Sequence, residues 1–190
     1  MIGITLIKQS SKQPLSEYLV ISAVGEDRPG IVDKLSKAIF SAGCSIFDSR
    51  MTVLGGDFAI ILLVSGGTND ITQLERTLPG MQDTLALTIS VKRTSTRTSR
   101  SDTVAYSVRA VSIDHPGIVY KLAGFFSARN INIEDLTTSR YAAAHTGTPM
   151  FSIEMVINIP ADVRISGLRE DLTEFCDDLN IDVNIAPEKG

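Results

Sequence analysis

The sequence predicts an α+β fold built twice, as two βαββαβ modules in which helices cover one face of an antiparallel sheet. Three observations lead there. The stretch GEDRPGIV at 25–32 returns 87 residues later as IDHPGIV at 113–119. With that offset Val24 falls on Val111, Asp27 on Asp114, Pro29-Gly30-Ile31-Val32 on Pro116-Gly117-Ile118-Val119, Lys34-Leu35 on Lys121-Leu122, and Ile46 on Ile133. An internal repeat decides the domain count before any motif is interpreted. Second, each copy runs through the same succession of strand-like and helix-like hydrophobic periods. Third, 190 residues with 43% hydrophobic and 21% charged side chains suit a folded chain long enough for two small cores.

The elements follow in order. Tyr18 to Val24 and Val104 to Val111 are short, β-branched runs bounded by turn residues, hence strands. After each Pro-Gly, Ile31, Val32, Leu35 and Ile39, or Ile118, Val119, Leu122, Phe125 and Phe126, recur at helical spacing. Ala42-Gly43 and Arg129-Asn130 end these helices, since glycine and asparagine tolerate the left-handed conformation used there. Strands at 44–54 and 131–140 come next. Gly55-Gly56 signals a hairpin in the first copy, while AAAHTGT makes a longer connection in the second. The strand at 57–64 follows, and its counterpart at 149–159 alternates Phe151, Ile153, Met155, Ile157 and Ile159, so one face is buried. A second helix carries Ile71, Leu74 and Leu78, or Leu168, Leu172, Phe175 and Leu179. Closing strands lie at 85–91 and 181–185. Between the copies, KRTSTRTSRSD at 92–102 loses its apolar residues and reads as a connector whose arginines, Arg93, Arg97 and Arg100, are spacer charges. The expected boundaries are an extension at 1–16, a first module at 17–93, a linker at 94–102 and a second module at 103–187, both modules ferredoxin-like.

Bulk properties narrow the function classes. A net charge of −4 disfavours a surface that neutralises many phosphates, the term that dominates nucleic-acid affinity. Ser65-Gly66-Gly67 cuts the longest apolar run, FAIILLV, well short of a bilayer span. MIGITLIKQSSKQPLSE lacks the basic and long apolar regions of a signal peptide, so a cytoplasmic location is expected. Cys44 and Cys176 have no C-x-x-C neighbour and are expected to be buried free thiols.

The repeated loop admits two readings. Proline at the first helical position costs no hydrogen bond, and Asp27 and Asp114 are candidate caps or turn formers. That is a purely structural role. Alternatively, the free amides and positive end of a helix N-terminus seat a carboxylate, glycine lets a ligand approach the backbone, and the aspartate supplies the opposite sign. Together these would hold a small zwitterion such as an amino acid.

The βαββαβ order, the loop GEDRPGIV, and the polar position after the first helix in GCSI and NINI resemble ACT domains, the amino-acid-sensing regulatory modules. More narrowly, YLVISAVGEDRPGIV, GCSIFDSR, DFAIILLVSG, TLPG and a second module after a KRT-type linker resemble the glycine cleavage system transcriptional repressor family over about residues 18–187. The resemblance places ligand loops at Asp27, Arg28, Gly30 and Ile31 and at Asp114, His115, Gly117 and Ile118, with the polar strand position at Ser45 and Asn132. ACT sites often carry asparagine there, which only the second module keeps, and often asparagine where Asp27 and Asp114 stand. Ligands of such modules generally sit between paired modules, so the resemblance allows Asp27 and Asn132 to serve one site from opposite sides.

Other chemistries lack their frames. His115 and His145 have no metal-ligand spacing, no G-x-S-x-G surrounds a serine, and neither a P-loop nor G-x-G-x-x-G is present. Ferredoxin-like RNA-binding modules display aromatics on central strands, whereas this chain is 6% aromatic. DSR at 48–50 and TSR at 138–140 read as polar strand faces or as interface segments. The resemblance therefore implies a regulator that is not an enzyme and needs no cofactor or metal. It would bind a small amino acid, glycine by resemblance, form homo-oligomers, and repress transcription through a DNA-binding partner protein. A regulatory subunit of a metabolic enzyme, suggested by the similar N-terminal module of formyltetrahydrofolate deformylases, and an assembly module without ligand are the alternatives.

Overall fold

The computed structural model describes residues 16–95 and 102–188. The chain divides into two compact units, Met1–Thr98 and Ser99–Gly190. In the first, β1 (Glu17–Glu26), α1 (Ile31–Ser41), β2 (Ser45–Leu54), β3 (Asp57–Gly66), α2 (Thr68–Thr77), a 3-10 turn (Leu78–Met81), α3 (Gln82–Leu85) and β4 (Leu87–Thr94) build an antiparallel sheet of order β2-β3-β1-β4. In the second, β5 (Thr103–Ile113), α4 (Ile118–Ser127), β6 (Asn132–Ala142), β7 (Pro149–Pro160), α5 (Ile165–Asp177) and β8 (Asp182–Pro187) repeat the plan as β6-β7-β5-β8.

Strand alternation supplies each core. Leu19, Ile21 and Ala23 on β1 and Phe58, Ile60, Leu62 and Val64 on β3 are buried beneath Ile31, Leu35 and Ile39 of α1 and Ile71 and Leu74 of α2. Each of these side chains larger than alanine contributes roughly 1.5–3 kcal/mol by leaving water. In the second unit Val108, Ala110, Ile153, Met155, Ile157 and Ile159 meet Ile118, Leu122, Phe125 and Phe126 of α4 and Leu168 and Leu172 of α5. Phe58 and Phe151 pack with their cores, so neither ring is displayed on an open sheet face in the way RNA-binding modules stack bases.

The helix ends show why the repeat is local as well as global. After α1, Gly43 takes φ 76 and the Cys44 amide reaches back to the Ile39 carbonyl at 3.1 Å. After α4, Asn130 takes φ 55 and Ile131 bonds Phe126 at 3.0 Å, and after α5 Asn180 at φ 54 lets Ile181 bond Cys176 at 2.9 Å. All three are Schellman-type closures in which a left-handed residue turns the chain into the next strand.

Three expectations change. The second helix of the first unit does not run smoothly through Leu78: α2 stops at Thr77 and a 3-10 turn with Pro79 in second place follows, because proline has no amide for the α ladder. The closing strand starts at Leu87 rather than residue 85, with Leu85 ending α3 and Ala86 at φ 49. Lys92, Arg93 and Thr94 belong to β4 rather than to a connector. Arg93 is no spacer charge. It bonds Glu17 at 2.5 Å, Glu75 at 2.8 Å and the Thr72 hydroxyl at 2.8 Å, and these carboxylates fasten the polar end of β4 to β1 and α2. Residues 96–101, with Arg97 and Arg100, and residues 1–15 of the expected extension lie outside the described residues.

Candidate ligand-binding loops

Each repeated loop connects the central strand of its sheet to the first helix. The ladder between β1 and β3 extends one step past β1, as the Asp27 amide donates to the Gly56 carbonyl at 3.1 Å; the Asp114 amide does the same to Pro149 at 3.0 Å. Gly30 and Gly117 then adopt φ 92 and φ 95, and the helices begin at Ile31 and Ile118. Lys34 and Lys121 close the first full turns by donating to the Gly30 and Gly117 carbonyls at 3.0 and 2.9 Å.

This corrects two local expectations. Proline is not the first helical residue in either copy; it stands before the glycine that caps the helix. Asp27 and Asp114 are not side-chain caps either, for no side chain caps α1 or α4. The reason is positional: the left-handed glycine is itself the N-cap, three residues after the aspartate. The first-turn amides, which have no intrahelical partners in any helix, are thus left without a side-chain cap. A Cβ built on Gly30 or Gly117 meets nothing within 4 Å, so the space in front of both glycines is open. Ile31 and Ile118 are buried in the cores and can offer a ligand only their backbone.

The flanking side chains differ between the copies. Arg28 turns its guanidinium onto the Leu85 carbonyl at 2.5 Å, and Gly25 lies against the Ala86 carbonyl, where any Cβ would collide. The first loop is thus anchored on the turn between α3 and β4, and Arg28 is spent on that anchor. At the equivalent place His115 sits with Nδ1 3.1 Å from the Pro116 carbonyl. Asp27 is exposed, and among the described residues no side chain bonds its carboxylate. Asp114 is only 16% exposed and forms an ion pair with Arg140 of β6.

Ser45 and Asn132 are not near the loops of their own modules. Ser45 pairs with Ser65, itself opposite Tyr18 at the start of β1, whereas the Asp27 loop abuts the β2–β3 hairpin at Gly56. Eight residue steps along β3 separate Ser65 from Asp57, about 27 Å at the usual strand rise. Asn132 pairs with Asn158, opposite Ala105, and is displaced from Asp114 by a similar length of β7. Each module therefore brings together aspartate, glycine and helix amides, and leaves the polar strand position at the other end of its sheet.

Sequence reasoning missed Arg140 as a loop residue. The 87-residue offset already sets Arg140 on Val53, and strand register agrees, with Arg140 opposite Phe151 and Val53 opposite Phe58. What the sequence did not show is that this strand position reaches the loop, where Arg140 pairs with Asp114. Among the described residues no group of three or more His, Cys, Asp or Glu side chains could hold a metal ion, and no helix is long and apolar enough to cross a membrane.

Comparison with known proteins agrees with this architecture. A family model for the ACT domain matches residues 17–92. The glycine cleavage system transcriptional repressor of Escherichia coli (strain K12) is 34% identical over 163 residues, 86% of either chain, and the repressor of Shigella flexneri matches to the same extent. Among solved structures, a candidate glycine cleavage system transcriptional repressor is 30% identical with a TM-score of 0.71, covering 93% of this chain and 99% of its own. An uncharacterised protein from Galdieria sulphuraria is 29% identical with a TM-score of 0.74, at 92% and 99% coverage. Two ACT-type modules in one chain and identity that runs through both place it: the chain belongs to the glycine cleavage system transcriptional repressor family.

Proposed function

We propose that this protein is a transcriptional repressor that acts through a DNA-binding partner protein and responds to a small amino acid, glycine in the first instance, bound at its Pro-Gly loops. The observation that carries the proposal is the pairing of uncapped first-turn amides with an adjacent aspartate, across open space guaranteed by Gly30 and Gly117. Amides at a positive helix end suit the α-carboxylate, and an aspartate suits the α-ammonium group. Glycine is chosen because relatives that match 86% of the chain are named for the glycine cleavage system. A partner is invoked because a net charge of −4 gives little attraction to phosphates.

Regulation of this kind is linkage. The ligand shifts partner affinity only by favouring one of two states, a coupling of typically about 1–3 kcal/mol. The edge strands β2 and β6, each hydrogen-bonded on one side only within its sheet, are proposed as the surfaces through which copies of the chain associate. Calorimetric titration with glycine, serine and alanine tests the sensor role. Saturable heat with glycine is expected; no heat and no thermal shift with any of them at millimolar concentration would refute it. Co-purification separates the partner classes: a transcription factor supports the proposal, a metabolic enzyme overturns that part of it.

A further inference from the structure

The two loops share a backbone and differ in charge. At the first, Glu26 and Asp57 stand directly opposite each other on β1 and β3, with Asp27 next in the chain. Like charges opposed across a ladder repel. Among the described residues, no cation pairs with any of the three, since Arg28 is turned onto the Leu85 carbonyl. At the second, the corresponding cross-strand pair is Ile113 and Met150. The single carboxylate, Asp114, is largely sheltered and already holds the Arg140 guanidinium. Where the second module places Arg140, the first has Val53.

Resting on the sensor role proposed above, we infer that the two modules are unequal sites. The first loop presents the open Asp27 carboxylate to a ligand ammonium group, while Arg140 is a built-in competitor that occupies the same position in the second. An amino acid entering the second loop must displace a guanidinium from Asp114 before its own ammonium can bind. Entering the first, it meets an Asp27 carboxylate that no cation among the described residues holds, in a loop whose other charges, Glu26 and Asp57, are also negative. The first module fills first, and Arg140 is the specificity-determining residue that keeps the second one empty over that range.

The experiment is a glycine titration of the full chain followed by amide NMR, with the Gly30 to Lys34 and Gly117 to Lys121 signals as separate reporters. Wild type is expected to respond at the first loop alone. R140V should add a response at the second loop, R140K should behave as wild type, and V53R should weaken the first-loop response roughly tenfold, the low end of what a hydrogen bond to a charged group contributes. Equal responses of both loops in wild type would overturn the inference while leaving the sensor role intact. So would a second loop that stays silent in R140V while the first still responds. Silence of both loops in every variant, with amide spectra showing that each is folded, would overturn the sensor role itself and the inference with it.

Discussion

Two glycines on either side of one helix start should respond to the same added methyl with opposite signs. Gly117 caps α4 at φ 95, and Gly124 lies inside the same helix; a Cβ at either position meets nothing within 4 Å. Sterics therefore cancel from the comparison, and backbone conformation decides. In Gly117→Ala, the left-handed conformation costs an L-residue about 1–2 kcal/mol. In Gly124→Ala the helix gains about 0.5–1 kcal/mol, because alanine loses less backbone entropy than glycine there. The variants should thus differ by about 1.5–3 kcal/mol, upward of about 6 °C in melting temperature for a module of this size. Scanning calorimetry reads both against wild type, and denaturant titration checks that the slope is unchanged. If Gly117→Ala melts with wild type, the loop does not hold a left-handed cap and the open space before α4 is not as described. If Gly124→Ala falls in parallel, a contact at that glycine has been missed.

Other expectations follow from the cores and ion pairs. Phe126 is fully buried, with its ring edge-on to Phe125 at 5.3 Å; Phe126→Ala should cost about 3–5 kcal/mol in chemical denaturation. Burial, reinforced by Asp177, pushes the Cys176 thiol up to about 11, and burial together with Asp70 raises Cys44, so neither should react with a thiol reagent at pH 8 until the chain is unfolded. The Arg93 guanidinium holds the Glu75 carboxyl below its usual range, chiefly by hydrogen bonding. A depressed carboxylate contributes stability that is full above its unfolded value and is lost as pH falls through its folded one. The melting difference between wild type and Arg93→Ala should therefore be present at neutral pH, vanish in acid below the carboxylate range, and shrink with salt.

How much was legible beforehand depends on how local the cause is. The helix ends at Gly43 and Asn130 were visible because the left-handed preference belongs to the residue itself. So was the buried face of β7, since alternation is a property of consecutive positions; β3 is a continuous apolar run, and only the fold shows that Phe58, Ile60, Leu62 and Val64 face its core. The cap was misassigned: aspartate before Pro-Gly fits both a side-chain cap and a glycine cap, and only the φ of Gly30 and Gly117 separates them. Arg93 looked like part of a polar connector because its partners are distant in sequence: Glu17 meets it through the pairing of β1 with β4, and Glu75 only because α2 packs on that sheet.

The repeat, the strand and helix periods and the shared Pro-Gly loops were all written in the chain, because each rests on neighbouring residues that obey the same local rules twice. Which side chains reach those loops was decided by tertiary structure. Strand register sets Val53 beside one loop and Arg140 beside the other, and carries Ser45 and Asn132 to the far ends of their sheets. Register comes from long-range backbone pairing, so the charge at each loop could be read only after the strands were in place.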